Sequence, residues 1–247
     1  MPKKCKKKQI AEWMESMKRP SLLIPLIGVF CCWGLMSGCS TLNTAKPLSP
    51  GEHEVAFTLG GPLTQVGGNY IPLPNSVIEG RSGLVNVGER PLDLNYGLYL
   101  TPIAFGQMGT HIGSSYLLWD QAEHLPALSL SNRFYFFHNY FDTAKPVTGR
   151  GAVFVHQIEG TLSYEVGHFL TYGGLANYAD LLNLDLMLTP FVGAELPTGL
   201  DGFKIQLEGR YYAANQHRLI ESVRFYNFDS GYGGFGMNLG LIWEIGQ

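Results

Sequence analysis

Phe203-Lys204-Ile205-Gln206-Leu207-Glu208-Gly209-Arg210-Tyr211 and Phe235-Gly236-Met237-Asn238-Leu239-Gly240-Leu241-Ile242-Trp243-Glu244-Ile245 decide how this chain folds. In the first stretch Phe203, Ile205, Leu207 and Tyr211 stand against Lys204, Gln206, Glu208 and Arg210. In the second, Phe235, Met237, Leu239, Leu241, Trp243 and Ile245 stand against Asn238, Gly240 and Glu244. A period of two puts every second side chain on one face of an extended strand, so each stretch is a strand with one apolar face and one polar face.

The same alternation runs back through the chain. Val55, Phe57 and Leu59 alternate with Glu54, Ala56 and Thr58, and Leu92, Leu94, Tyr96, Leu98 and Leu100 alternate with Asp93, Asn95, Gly97, Tyr99 and Thr101. It recurs at Met108, Ile112, Tyr116 and Leu118; at Leu128, Leu130, Phe134 and Phe136; at Phe154, Ile158, Leu162 and Tyr164; at Leu170 and Tyr172; and at Leu186, Leu188, Val192 and Leu196. The pattern predicts ten strands, within a range of eight to twelve: 53–60, 76–87, 92–101, 107–118, 125–137, 151–165, 168–178, 185–196, 203–214 and 232–246. No helix is expected among them. Two strands carry blemishes: Glu79 and Arg81 share a face with Val85 and Val87, and Pro190 would remove a ladder hydrogen bond.

An even number of strands lets an antiparallel sheet close with both chain ends on one side. Connections after even-numbered strands are short (Gly88–Pro91, Trp119–His124, Val166–Gly167, Pro197–Gly202), whereas the long ones, Gly61–Asn75, His138–Arg150 and Asn215–Gly231, all follow odd-numbered strands. Short turns on one side and long loops on the other suit an up-and-down transmembrane barrel. A soluble sandwich or lipocalin-like barrel would put the apolar faces inside and the polar faces in water. The transmembrane barrel reverses this. It sends the apolar faces to lipid and Glu159, Glu165, Glu195, Lys204, Glu208, Arg210 and Glu244 to the lumen. Aromatic residues near strand ends and segments of the length needed to cross favour lipid. His156, in phase with Phe154 and Ile158, is a polar exception on the outer face.

The last strand contains Asn238-x-Gly240-x-x-Trp243-x-Ile245, which resembles the outer-membrane β-signal read by the barrel-assembly machinery. It departs from that family in ending two residues late, with Gly246 and Gln247 following. The resemblance implies the barrel-assembly machinery as a partner during biogenesis and outer-membrane lipid as the surroundings.

The N-terminus is a different object. Lys3, Lys4, Lys6, Lys7, Lys8, Lys18 and Arg19 precede an apolar run from Ser21 to Met36, about sixteen residues and shorter than the roughly 20 of a spanning helix. That order reads as a secretion signal. Leu35-Met36-Ser37-Gly38-Cys39-Ser40 resembles the lipobox of bacterial lipoproteins, with Met36 in place of the usual leucine. The resemblance implies cleavage before Cys39, acylation of Cys39 and, from Ser40 in place of aspartate, sorting to the outer membrane. The expected organisation is a signal peptide over 1–38, a lipid-anchored tether over 39–52 that contains Pro47 and Pro50, and a barrel over 53–247.

Charge and cysteine content narrow the chemistry. Of seventeen Lys and Arg, seven leave with residues 1–38, against two of twenty Asp and Glu, so the mature part carries ten basic and eighteen acidic residues. Its net charge near −8 argues against a nucleic-acid partner. Cys5, Cys31 and Cys32 leave with the signal and Cys39 would be acylated, so no thiol remains for a disulfide, a metal or catalysis. Seven histidines without ligand spacing give no metal site and no cofactor is implied.

The inward faces mix Gly97, Gly109, Gly113, Ser115, Ser129, Ser131, Thr161 and Ser163 with Arg133, Glu208 and Arg210, which suggests a hydrogen-bonded filling rather than a pore. His111, Ser115 and Glu159 could echo outer-membrane lipid A deacylases, but residues four apart on a strand lie about 13 Å apart and do not touch. In the outer loops Tyr70, Arg218, Arg224, Phe225 and Tyr226 are candidates for binding glycans, lipid headgroups or proteins. The sequence therefore suggests a non-enzymatic lipid-anchored outer-membrane barrel with a structural, adhesive or narrow-channel role. A periplasmic lipoprotein whose soluble β domain binds a hydrophobic ligand is the alternative, and a barrel hydrolase the third reading.

Overall fold

The computed structural model describes residues 42–66, 69–72, 75–104, 106–139, 152–180, 186–212 and 234–245. Among them run β1 (His53–Val66), β2 (Asn69–Pro72), β3 (Asn75–Val87), β4 (Arg90–Tyr99), β5 (Gln107–Trp119), β6 (Ala127–Asn139), β7 (Ala152–Val166), β8 (Phe169–Asp180), β9 (Leu186–Pro197), β10 (Phe203–Tyr212) and β11 (Gly234–Ile245). From β3 onward each strand pairs with the next, and β1 pairs with β3 on one side and β11 on the other. The closing seam is antiparallel and runs from His53↔Ile245 to Pro62↔Gly236. Closure leaves no free margin, so the backbone groups of all ten wall strands are paired within the sheet. The short β2 stands outside the ring and pairs only with the tip of β1, from Leu63↔Pro72 to Val66↔Asn69.

The direction of the side chains is the one a membrane barrel requires. Val192, Trp243 and Ile112 point outward and are 67%, 61% and 56% exposed, while the intervening Asp93, Ser115 and Thr161 are fully buried. Leu241 is exposed and Leu94 and Leu207 lie on the same outer side, flanked along the chain by buried Asp93, Asn95, Gln206 and Glu208. His156 is on the outer face as its phase implies, with its ring stacked on Phe134 at a centroid distance of 4.3 Å. The fold is a closed, ten-stranded, up-and-down antiparallel barrel with an apolar exterior and a polar interior.

Both ends of the ring, His53 and Ile245, and the tight turns lie at one mouth, called here the near mouth. Gly88 (φ 68°) and Gly167 (φ 64°) take the left-handed backbone values that two-residue hairpin turns demand. Pro190 is accommodated because the β9–β10 ladder ends one residue earlier, at Arg210↔Phe191.

Several details differ from the sequence expectation. A short helix, α1 (Leu100–Ala104), follows β4 where none was expected. The segment 61–75 is not a plain loop, because β1 runs on to Val66 and turns into β2. The conflict in β3 is resolved by a register shift between Gly83 and Val85, where one extra residue re-aims the strand. Glu79 is thereby buried while Val85 and Val87 are exposed. A second shift, between Leu117 and Trp119, turns Trp119 outward, while Leu117 stays inward in phase with His111, Gly113 and Ser115. In β8 the predicted apolar face, Leu170 and Tyr172, belongs to the interior and not to the lipid side, since Tyr172, Ala176 and Tyr178 of that face are all buried. Glu165, expected in the lumen, is exposed at the near mouth.

The largest difference concerns the segment before β1. The stretch 40–51 reads as a tether, yet Leu42, Asn43, Thr44 and Ala45 are buried inside the ring. From there the chain passes down the lumen and turns at Ser49–Gly51, where the Gly51 N–H donates to the Gly83 carbonyl at 3.1 Å, before entering β1.

Candidate functional site in the barrel lumen

The lumen is built in three levels. At the near mouth, Arg81 (β3) donates to Glu54 (β1) at 2.9 Å and to Asp93 (β4) at 2.8 Å. Lys204 (β10) pairs with Glu54 at 3.4 Å and with Glu244 (β11). These strands carry their charges inward because the charged residues fall on the inward phase of the alternation. Lys46 reaches Glu165 at 3.7 Å, but both side chains are well exposed and the pair contributes little.

At mid-barrel the N-terminal segment is gripped through its backbone. Arg133 (β6) donates to the Leu42 carbonyl at 2.8 Å, to Thr44 Oγ1 at 3.1 Å and to Asn95 Oδ1 (β4) at 3.2 Å. Ser115 (β5) donates to Thr44 Oγ1 at 3.2 Å. Across the lumen, the Asn43 N–H donates to Glu208 Oε2 (β10) at 3.0 Å, and Gln206 Nε2 donates to the Asn43 carbonyl at 3.1 Å. Glu208 also accepts from Arg210 Nε at 3.1 Å, Tyr172 Oη at 3.2 Å and Asn238 Nδ2 at 3.3 Å. The carboxylate and guanidinium are thus surrounded by partners, the condition under which buried charges persist. Gly240 lies where a β-carbon would collide with Leu42 Cδ1, so this glycine makes room for the segment. What remains open beside Leu42, Glu79, Arg133 and Gln206 is a cavity of about 20 Å³, room for about one water molecule.

Toward the far mouth the filling is aromatic. Tyr99, Tyr135, Tyr172, Tyr178 and Phe191 pack with Val77, Val155 and Ala176 into one buried cluster. Tyr99 lies 5.1 Å from Phe137, 6.4 Å from Tyr135 and 5.9 Å from His111 between ring centroids. Ala45 of the N-terminal segment also packs into this cluster, and its other buried members are wall side chains.

The hydrolase trio does not assemble. Ser115 gives its hydroxyl to Thr44 and accepts from Asn95 at 3.2 Å. His111 is buried against Gly97, with Glu79 Oε2 3.9 Å from Nε2, and neither ring nitrogen has a hydrogen-bond partner among the described residues. Glu159 accepts instead from Gln157 at 2.7 Å and Thr161 at 2.8 Å. Among the described residues no three His, Cys, Asp or Glu side chains converge as metal ligands.

Of the loop candidates, Arg218, Arg224, Phe225 and Tyr226 lie outside the described residues, as does Cys39. Tyr70 is placed in β2 opposite Gln65, and its side chain is outside the description. The site that sequence reasoning missed is the gripped segment 42–46. The signal for it was available: Gly97, Gly113, Ser115, Ser129 and Ser131 put small side chains on three adjacent strands, which leaves a void that the opposite wall does not fill.

No protein-family model matches this chain, and no curated protein matches it. Among solved structures, the NanC porin in a rhombohedral crystal form is similar at a TM-score of 0.42 and 9% identity, over 78% of this chain and 100% of that one.

Proposed function

We propose that this chain is a non-enzymatic, lipid-anchored protein of the bacterial outer membrane. Its barrel is a closed scaffold that holds the far-mouth loops at the cell surface, where they meet glycans, lipid headgroups or proteins. The observation that carries this reading is the filled lumen. A ten-stranded ring has a bore only slightly wider than the eight-stranded one that side chains fill, and here the wall's own charged pairs and aromatic layer occupy it in turn. The exterior supports the membrane part, since apolar side chains face outward on every wall strand. A channel role fits this interior poorly, and so does a barrel that holds a hydrophobic ligand. Of the suggested roles, the structural and adhesive ones therefore stand.

Planar-bilayer recording of the purified mature protein tests the scaffold reading. Reconstituted protein should give no stepwise conductance above the lipid baseline, and reproducible ohmic steps would overturn it.

A further inference from the structure

Residues 42–49 occupy the lumen with a chain direction that has a consequence for the anchor. Leu42 lies deepest. Its carbonyl is held by Arg133, the seventh of thirteen residues in β6, and its side chain rests on Gly240, in the middle of β11. The later residues then descend, with the Lys46 carbonyl accepting from Arg81 at 2.6 Å and the Leu48 N–H donating to Asp93 at 3.1 Å, to leave by the near mouth. Five residues separate Gly240 from the end of β11, and at about 3.3 Å per residue and a tilt near 40° the near mouth is roughly 13 Å away. Three residues separate Leu42 from Cys39, and three residues span at most about 11 Å. The chain would also have to double back beside itself through a lumen that is already full. From a seated Leu42, Cys39 does not reach the near mouth.

We infer that the lumen-seated position of residues 42–49 and a membrane anchor at Cys39 exclude each other. Acylation then holds this segment out of the barrel. The inference rests on the reading of Cys39 as a lipid-attachment site. The anchored state wins where acyl chains are present, because two or more buried chains hold firmly while the segment is retained by hydrogen bonds that water can replace. Most of those bonds are made to its backbone, and the wall groups left behind have partners of their own. Arg81 keeps Glu54 and Asp93, Arg133 keeps Asn95, and Glu208 keeps Arg210, Tyr172 and Asn238. Withdrawal therefore empties a blind, polar pocket that opens at the near mouth and ends at the aromatic layer.

The test compares two forms of a Thr44→Cys/Ser115→Cys variant. One is the full-length chain processed in cells, and the other is the mature chain from Ser40 secreted behind an ordinary cleavable signal peptide. The two hydroxyls lie 3.2 Å apart when the segment is seated, so mild oxidation should join positions 44 and 115. Intact mass establishes acylation, and heat-modifiable gel mobility establishes folding. The Ser40 form should crosslink nearly completely, and the acylated form at least tenfold less. In a Thr44→Cys variant alone, a bulky maleimide should label the acylated form and spare the Ser40 form. Equal crosslinking in a chain shown by mass to be acylated would overturn the exclusion and leave the anchor standing. A full-length chain that carries no acyl group would overturn the anchor, and the exclusion with it. Failure of the folded Ser40 form to crosslink would overturn the seated segment itself.

Discussion

Arg133→Met, made in the unacylated mature chain, measures how much of the barrel's stability resides in its lumen. The guanidinium is almost completely buried and makes charge-assisted hydrogen bonds to Leu42, Thr44 and Asn95. Bonds to a charged group contribute roughly 1.5–3 kcal/mol each, so three would amount to about 5–9 kcal/mol if nothing replaced them. Replacement is partial, because the adjoining cavity of about 20 Å³ admits about one water molecule and methionine fills part of the vacated volume. Removing one member of a buried charged network typically costs about 3–5 kcal/mol, and we take that as the expected loss. At a denaturant dependence of about 2 kcal/mol per molar, the urea midpoint should fall by roughly 1.5–2.5 M. Equilibrium unfolding in lipid vesicles, followed by tryptophan fluorescence and by gel mobility of unheated samples, gives that midpoint. Arg133→Lys, which keeps the charge but not the three-way geometry, should lose about half as much. A midpoint within about 0.5 M of the parent for Arg133→Met, or about 1 kcal/mol at that slope, would refute the view that the lumen network bears stability.

Other substitutions separate the faces of the wall. Val192→Arg, at a position 67% exposed near the middle of β9, should cost about 2–4 kcal/mol in vesicle unfolding if that face meets lipid, and almost nothing if it meets water. His111→Phe removes two buried ring nitrogens that lack hydrogen-bond partners while keeping a ring beside Tyr99 and Tyr135, so stability should hold or rise by about 1 kcal/mol. A loss above about 2 kcal/mol on the same assay would show that the imidazole gains more from Glu79, 3.9 Å from its Nε2, than a separation beyond hydrogen-bond range accounts for. Gly240→Val places carbon where Leu42 Cδ1 sits and should leave the barrel folded while blocking oxidation between cysteines at positions 44 and 115. Full crosslinking in that variant would mean that the segment does not need the space at Gly240.

The wall of this barrel was legible because a period of two survives in almost every strand, and the last two strands show it most cleanly. Glu159, Glu195, Glu208 and Arg210 are buried in the lumen as their phase implies. The inward Gly and Ser positions of β4 to β6 are where alternation puts them. The errors have definite causes. A bulge adds one residue to one strand, and alternation along that strand alone cannot reveal it until the partner is known, hence Val85 and Val87. In β8 both faces carry apolar residues, because Tyr172, Ala176 and Tyr178 pack into the buried aromatic cluster, and alternation alone puts Tyr172 on the wrong side. Residues 42–49 read as a tether because small polar residues and a proline suit a solvated linker and a groove for an extended chain equally well.

The central claim is that the apolar faces look outward into hydrocarbon, and the mature chain carries its own probes of that. Its two tryptophans, Trp119 and Trp243, are 45% and 61% exposed on the outer surface near the near mouth. In vesicles of lipid brominated high on the acyl chain, the account predicts strong quenching of their fluorescence relative to unbrominated vesicles, in acylated and unacylated protein alike. Emission unchanged by bromine in the folded, unacylated chain would contradict it.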